Sequence, residues 1–348
     1  MAGCQLLIVQ KLLARSFLTS KKLLILWIIL FYLRSSHSLA KTLHHSLFFF
    51  FFHYYYFTNR TQYVLPNNES SSKGLVRYKV PQGSVLGPLL FFTSINDLPL
   101  HILNDKVSNN LFADDLFLHT RGKNIQSVET SLQRSLNEVA DLCDFNSMII
   151  HPAKTKGLVI ATRQTHELSP LQLKLTLENR DIEQVHEHRV LGVTIDAEMK
   201  WQSQLSNVCK IVSKKLFLLS QLRYCVNVKA CKLFYSAHIL SHVNYASTLW
   251  DGCSEVHLKK LNSLHRRAAK LILSDPSIPT DPSIPTDDKL KTLKLLPVTK
   301  QLKYNKAVMM FKVRNGKTPE YIRSLFTRSA SKYGSNNFIP PRTRINLY

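Results

Sequence analysis

No aspartate or glutamate stands before Glu69 in this 348-residue chain, although seven lysines and arginines do. Any carboxylate-based centre must therefore be assembled from later segments. The six cysteines (Cys4, Cys143, Cys209, Cys225, Cys231, Cys253) include no C-x-x-C pair and no His/Cys grouping at zinc-ligand spacing. That excludes a zinc finger by pattern and reads as free thiols in a reducing compartment rather than a disulfide framework. Long apolar runs are missing too. Leu23–Leu33, behind Lys21-Lys22, is uninterrupted for eleven residues, whereas a membrane-crossing helix needs about 20. The run fits a buried strand or the apolar core of a signal or anchor, although no small-residue cleavage site follows it. Phe48–Phe57 is low complexity with no strand or helix period, and carries no assignable chemistry.

Acid is scarce throughout, with 46 Lys+Arg against 23 Asp+Glu and a net charge of +23. Its distribution is uneven. Residues 1–60 carry +7, residues 61–199 carry −3 from 13 basic and 16 acidic side chains, and residues 200–348 carry +19 from 26 and 7. With 45% hydrophobic residues the chain can bury a core, so it is not a disordered basic tail. A basic region beside a slightly acidic one suits a protein that holds a polyphosphate backbone and places metal ions on it.

Two central segments carry the chemistry. Pro81-Gln-Gly-Ser-Val-Leu-Gly-Pro88 packs two glycines and two prolines into eight residues, a stiff turn where Gly83 lets a backbone or base approach closely. Leu89–Ile95 then continues as an apolar helix or strand. Asn110-Leu-Phe-Ala-Asp-Asp-Leu-Phe-Leu118 predicts two strands joined by a tight turn with Asp114 and Asp115 at its tip. Paired carboxylates inside an apolar hairpin are costly without a compensating cation. Hard divalent ions take oxygen ligands, and a two-metal site needs carboxylates from more than one segment.

These segments, with Ile95-Asn-Asp-Leu-Pro99 between them, resemble the reverse transcriptase of non-long-terminal-repeat (LINE-type) retrotransposons. Phe112-Ala-Asp-Asp115 is similar to the family's catalytic F/Y-A-D-D box, and the Pro81–Pro88 turn to the loop before it. Asn59-Arg-Thr-Gln62 is similar to the N-R-x-Q stretch upstream, Asn146–Lys156 to N-x-M-x-I-N-x-x-K-T, and Leu191-Gly-Val-Thr-Ile-Asp196 to the L-G-x-x-x-D primer-grip hairpin. The resemblance spans roughly residues 56–275 in the expected order. It implies an α+β fold: a right-hand palm of antiparallel sheet with helices, then a helical thumb, with the fingers largely missing. It further implies RNA-directed DNA polymerisation by two-metal nucleotidyl transfer, with Asp114 and Asp115 as ligands of Mg²⁺ or Mn²⁺. Gln82 and Gly83 would line the nucleotide and template site, and Lys154 would offer a cation near the leaving pyrophosphate. The partners implied are an RNA template, a DNA primer and deoxynucleoside triphosphates.

One part of that pattern has no good counterpart. The family carries a further aspartate on an earlier strand, in a stretch like F-L-D-L-S-K-A-F-D-T-V-D-H-S-L-L. Matching Thr42, His45, Ser46 and Leu47 to it sets Ser35 at the metal-binding aspartate, Ala40 at the residue that screens the sugar 2′ position, and Lys41 at the second aspartate. A hydroxyl cannot replace a charged ligand where metal must neutralise developing negative charge. The expectation is an incomplete two-metal site and a catalytically defective, truncated copy without the family's N-terminal endonuclease. The alternative is a non-catalytic nucleic-acid-binding remnant, with membrane association through residues 23–33 as a further option.

The basic C-terminal part reads as helices. Leu205, Val208, Val212, Leu216, Leu219 and Leu222 form a helical stripe, with Lys210, Lys214 and Lys215 off it. After Ser254, Leu258, Leu261, Leu264, Ala268 and Leu271 fall inside, and Lys259, Lys260, Arg266, Arg267 and Lys270 outside. Further helices are expected near residues 229–246 and over Leu290–Val313. By the resemblance, Lys210, Lys214, Lys215, Arg266 and Arg267 would contact nucleic-acid phosphates. The expected organisation is an apolar segment over 1–58, palm over 59–199, a thumb-like domain over 200–274, a linker with a tandem Asp-Pro-Ser-Ile-Pro-Thr repeat over 275–287, and a basic helical segment and tail over 288–348.

Overall fold

The computed structural model describes residues 4–14, 61–65, 69–75, 83–85, 87–122, 124–146, 148–168, 171–273 and 286–326, with strand 4–14 given by its backbone. The chain divides into two compact units, residues 1–190 and 191–348. The second unit thus begins ahead of residue 200 and takes in the Leu191–Asp196 segment.

In chain order the first unit holds β1 (Cys4–Ala14), β2 (Thr61–Gln62), β3 (Gly74–Leu75), α1 (Gly87–Ile95), β4 (Val107–Phe112), β5 (Asp115–Gly122) and α2 (Ile125–Phe145). These are followed by β6 (Met148–Ile150), β7 (Lys156–Ile160), α3 (Arg163–Leu168), β8 (Thr176–Leu177), β9 (Arg180–Asp181), β10 (Glu183–Val185) and β11 (Glu187–Val190). The main sheet has the order β10-β7-β1-β5-β4, with β6 also pairing β1. Every pairing in it is antiparallel except β10 on β7. The N-terminal strand is therefore central, hydrogen-bonded to β5 on one side and to β6 and β7 on the other.

Helix α2 covers one face of this sheet. It starts where the Asn124 side chain accepts a hydrogen bond from Ser127 N at 3.0 Å, an N-cap. Its Val128, Leu132, Leu136, Val139, Leu142 and Cys143 recur at helical spacing and are buried. They share one core with Leu116 and Leu118, alternate residues of β5, and with Val107, Met148, Ile150 and Val159. Burying each large side chain fully contributes about 1.5–3 kcal/mol. Because strand side chains alternate, Asp115, Phe117 and His119 fall on the other face. Packing is close at Gly157 of β7, where a Cβ would lie 2.4 Å from Leu173 Cδ2.

The second unit follows β12 (Val193–Asp196) with helices α4 (Gln202–Leu222), α5 (Val228–Phe234), α6 (Ser241–Asn244), α7 (Ser247–Trp250), α8 (Glu255–Leu273), α9 (Thr286–Thr292), α10 (Val298–Arg314) and α11 (Glu320–Arg323). A π-helical turn, Tyr235–Leu240, joins α5 to α6, so the helix expected near 229–246 runs from Val228 to Asn244. The stripes of α4 and α8 meet in a core that includes Leu205, Val212, Leu219, Tyr235, Trp250, Leu261 and Ala268.

The helix expected over Leu290–Val313 is two helices. Lys294 takes a left-handed φ of +54°, Leu295 N donates to Leu290 O at 2.9 Å, and Lys294 N donates to Lys291 O at 2.8 Å. This pair of bonds closes α9 as a Schellman motif, and Pro297 then sets the start of α10. The Asp-Pro-Ser-Ile-Pro-Thr repeat lies outside the described residues but for its final Thr286, which opens α9.

Candidate functional site

The β4–β5 hairpin closes with Phe112 paired to Asp115, leaving Ala113-Asp114 as a two-residue loop. Ala113 has φ +50°, a left-handed conformation that costs a residue with a Cβ about 1–2 kcal/mol. Asp114 and Asp115 are both half-buried. The apolar flanks explain the geometry. Leu116 and Leu118 drop into the core under α2, which pins the register and holds the carboxylates at the sheet's end.

What lies beside this turn was not legible from motif spacing. The neighbouring strand is β1, and its ladder sets Lys11 opposite Asp115 and Val9 opposite both Phe117 and Lys156. None of the eleven residues of β1, Cys-Gln-Leu-Leu-Ile-Val-Gln-Lys-Leu-Leu-Ala, is acidic. Lys156 of β7 is in an ion pair with Glu183. His188 of β11 is near enough to feel both sides. Burial first, then the Lys156 ammonium, holds its imidazole below the ordinary pKa, while Asp115 pulls the other way. Asp115 is thus paired through the backbone ladder with Lys11 and acts electrostatically on His188, and sequence reading singled out neither Lys11, Lys156 nor His188. The available signal was the apolar character of Cys4–Ala14, consistent with a buried strand but silent about its partner.

The remaining expected positions are dispersed. Gly83 occupies an exposed turn with φ +78°. Just after it, Ser84 Oγ accepts from Gly87 N at 3.1 Å at the start of α1, so Leu89–Ile95 is helical rather than extended. Gln82 lies outside the described residues, as do Ser35, Ala40 and Lys41. Lys154 is exposed at the end of a 3-10 turn, Pro152–Lys154, one residue before Thr155, whose Oγ1 donates to His151 O at 3.1 Å.

In the second unit Lys210, Lys214, Arg266 and Arg267 are exposed, and Lys215 is half-buried. His242 lies close enough to Lys215 and His238 that, after burial, they lower its pKa further. The Leu191–Asp196 segment is fastened to its own unit. Leu191 and Gly192 both have positive φ, +46° and +86°, and the Tyr245 hydroxyl donates to Leu191 O at 2.5 Å. Thr194 N donates to Gln204 Oε1 at 2.9 Å. Asp196 accepts from Lys200 N at 2.8 Å and Trp201 N at 2.6 Å, securing the start of α4.

Divalent-metal chemistry would require further oxygen donors beside Asp114 and Asp115. Among the described residues no three His, Cys, Asp or Glu side chains come together as a metal-holding group. The residue set opposite Asp115 by register is Lys11, and the group on which Asp115 acts electrostatically is His188. That donor set does not fit a pair of divalent ions, and no catalytic step through metal follows from it.

Residues 38–195 match the family described as reverse transcriptase (RNA-dependent DNA polymerase). The chain is 25% identical over 229 residues to a probable RNA-directed DNA polymerase from transposon BS of Drosophila melanogaster, an alignment covering 63% of this chain and 25% of that protein. It is 24% identical over 225 residues to the RNA-directed DNA polymerase from mobile element jockey of the same organism, covering 62% and 24%. A probable RNA-directed DNA polymerase from transposon X-element, also from that fly, aligns at 23% over 199 residues, 56% of this chain and 21% of that protein. The chain spans about a quarter of the length of the curated relatives it matches. Residues 38–195, a little under half of the chain, are thus similar to reverse transcriptases, and the relatives that align over a longer stretch are RNA-directed DNA polymerases of Drosophila mobile elements.

Proposed function

We propose that this polypeptide is a retrotransposon-derived reverse transcriptase domain, descended from two-metal nucleotidyl transferases, that does not itself polymerise DNA. In this reading the first unit is the palm, and the second a thumb-like helical unit with a basic segment after it. Asp114 and Asp115 are the surviving carboxylates, Gln82 and Gly83 the remnant of the nucleotide and template loop, and Lys154 the cation beside the departing pyrophosphate. The observation that carries the reading is the composition of β1. The strand hydrogen-bonded beside the Asp114-Asp115 turn offers no carboxylate and sets Lys11 opposite Asp115. One adjacent acidic pair cannot clamp both the attacking and leaving oxygens through two ions.

Primer extension by the full chain on an RNA template with a DNA primer, deoxynucleoside triphosphates and Mg²⁺ or Mn²⁺ tests it. The expected outcome is no templated synthesis above the level of Asp114→Asn. Synthesis that Asp114→Asn abolishes would overturn the reading.

The exposed basic side chains favour a second, compatible role as a nucleic-acid-binding remnant. Arg266 and Arg267 stand on the solvent side of α8, and Lys210 and Lys214 on that of α4, where phosphates could reach them. Membrane association rests on Leu23–Leu33, outside the described residues. No described helix is long and apolar enough to cross a membrane.

A further inference from the structure

Helix α10 contains no acidic residue and five basic ones, Lys300, Lys303, Lys306, Lys312 and Arg314. Its inner side is fastened to the rest of the second unit. Val298, Leu302 and Val313 are buried, Asn305 Nδ2 donates to Asn244 Oδ1 at 3.0 Å and to Ser247 Oγ at 2.9 Å, and Lys306 is in an ion pair with Asp251 at 2.5 Å. At 3.6 residues per turn the opposite side is formed by Lys300, Lys303, Tyr304, Ala307, Phe311 and Arg314, and all six are exposed. Tyr304 and Phe311 are 56% and 58% exposed. Lys317 Nζ stands 5.9 Å from the centroid of the Phe311 ring and brings one more ammonium to it.

We infer that this face of α10 is a binding site for single-stranded nucleic acid, with Tyr304 and Phe311 as stacking platforms for bases and Lys300, Lys303 and Arg314 as phosphate contacts. The two rings are seven residues apart, about 10 Å along the helix, which is about three steps of a stacked strand at roughly 3.4 Å per nucleotide. The cations share the face with the rings. Sinking the rings into a lipid layer would take Lys300, Lys303 and Arg314 with them, whereas a helix that lies in a membrane surface separates an apolar from a charged face. A second copy would set like charges against each other. A nucleic-acid strand answers both features at once, with phosphates for the ammonium groups and π-faces for the rings. Paired bases present those faces only at a duplex end, so the site selects single strands over a hybrid. The inference rests on the reading of the second unit as a nucleic-acid-binding remnant and deepens it, adding to the phosphate contacts of α4 and α8 a separate stacking site on α10.

Fluorescence anisotropy of the full chain with labelled oligouridylate, oligothymidylate and an RNA–DNA hybrid of the same length, each across a salt series, tests it. Tyr304→Ala with Phe311→Ala should weaken single-strand binding at least about tenfold and leave hybrid binding unchanged. The salt slope should stay as it is in that variant, because stacking releases no counterions. Lys300→Ala with Lys303→Ala should instead lower the single-strand slope by about 1.4, near 0.7 for each phosphate contact. Tyr304→Phe with Phe311→Tyr keeps both rings and should keep the affinity. A loss with one of the two strands only identifies that strand as the ligand.

Single-strand affinity unchanged by the double alanine substitution overturns the inference. So does an equal loss toward the hybrid, or the same loss in the variant that keeps both rings. Phosphatidylserine vesicles bound by the unaltered chain and released by the double alanine variant, with single-strand binding intact, would give the face to a membrane; a dimer that this variant splits, again with single-strand binding intact, would give it to a second copy. If the double variant does not fold by circular dichroism, Tyr304→Ala and Phe311→Ala must each fold and each weaken single-strand binding; single variants that bind normally or fail to fold overturn the inference. Hybrid binding with single strands indifferent to the rings would sink this inference alone, whereas no salt-sensitive binding of hybrid or single strand would sink the functional reading beneath it.

Discussion

His265 enters the core of the second unit with 4% of its surface exposed and its Nδ1 hydrogen-bonded to the Tyr235 hydroxyl. Burial, the largest influence, and the nearby Arg266 hold its imidazole below the ordinary value of 6.5, with a backbone hydrogen bond at Leu296 opposing them. The folded pKa is thus lower than the unfolded one, and the unfolded chain takes up the proton first. The resulting stability is fully present above about pH 6.5 and is lost as pH falls below it. His119, His188 and His242 shift in the same direction. The urea midpoint should therefore fall between pH 7.5 and pH 5.5, and His265→Gln should flatten part of that fall. An unchanged pH slope in His265→Gln would count against the assignment. At the same scale, Cys143, Cys209, Cys225 and Cys253 are free thiols. Burial, then Asp144 and Glu178, pushes the Cys143 thiol up to about 12, so it stays protonated and unreactive. The histidine was not legible in the sequence. Its position on α8 falls on the buried stripe, but only the arrival of Tyr235 from another helix gives it a partner.

Among the elements, the Asp114-Asp115 hairpin and the stripes of α4 and α8 formed as the sequence pattern indicated. Local period and turn chemistry specify such pieces without help from distant chain. Asp196 shows where a family resemblance and a local physical role coincide. Its carboxylate accepts from the backbone N–H groups of Glu198, Lys200 and Trp201, and this compensates the left-handed φ of +63° at Trp201. Asp196→Ala should cost about 1–3 kcal/mol, the usual range for removing a charged hydrogen-bond acceptor from its donors, and Asp196→Asn less. Urea denaturation followed by helical circular dichroism checks both. A change below about 0.3 kcal/mol in Asp196→Ala, under the usual net worth of even one hydrogen bond, would refute the role of Asp196 in holding this turn. The break between α9 and α10 escaped sequence reading for a definable reason. The apolar residues keep helical spacing across it, and Lys294 adopts a conformation for which glycine is the usual signal.

For the whole molecule, charge is the leading quantity. The second unit, residues 191–348, holds 26 basic and 9 acidic side chains, a net charge of +17. Proposed as the nucleic-acid-binding part, it should bind an RNA–DNA hybrid with log affinity falling linearly against log salt. Arg266→Glu with Arg267→Glu should weaken binding and reduce that slope by about 2, near one for each phosphate no longer neutralised. Fluorescence anisotropy across a salt series measures both, and a slope unchanged by the double substitution would remove α8 from the interface.

The sequence by itself determined the helical and hairpin segments, the likeness to reverse transcriptases and the absence of acid before Glu69, because these depend on residue type and short-range spacing. Tertiary structure decided that Cys4–Ala14 becomes the central strand and that Lys11 falls opposite Asp115. Strand partners are selected by backbone hydrogen bonding and shared burial across the assembled sheet. An apolar run carries no record of which edges it will join.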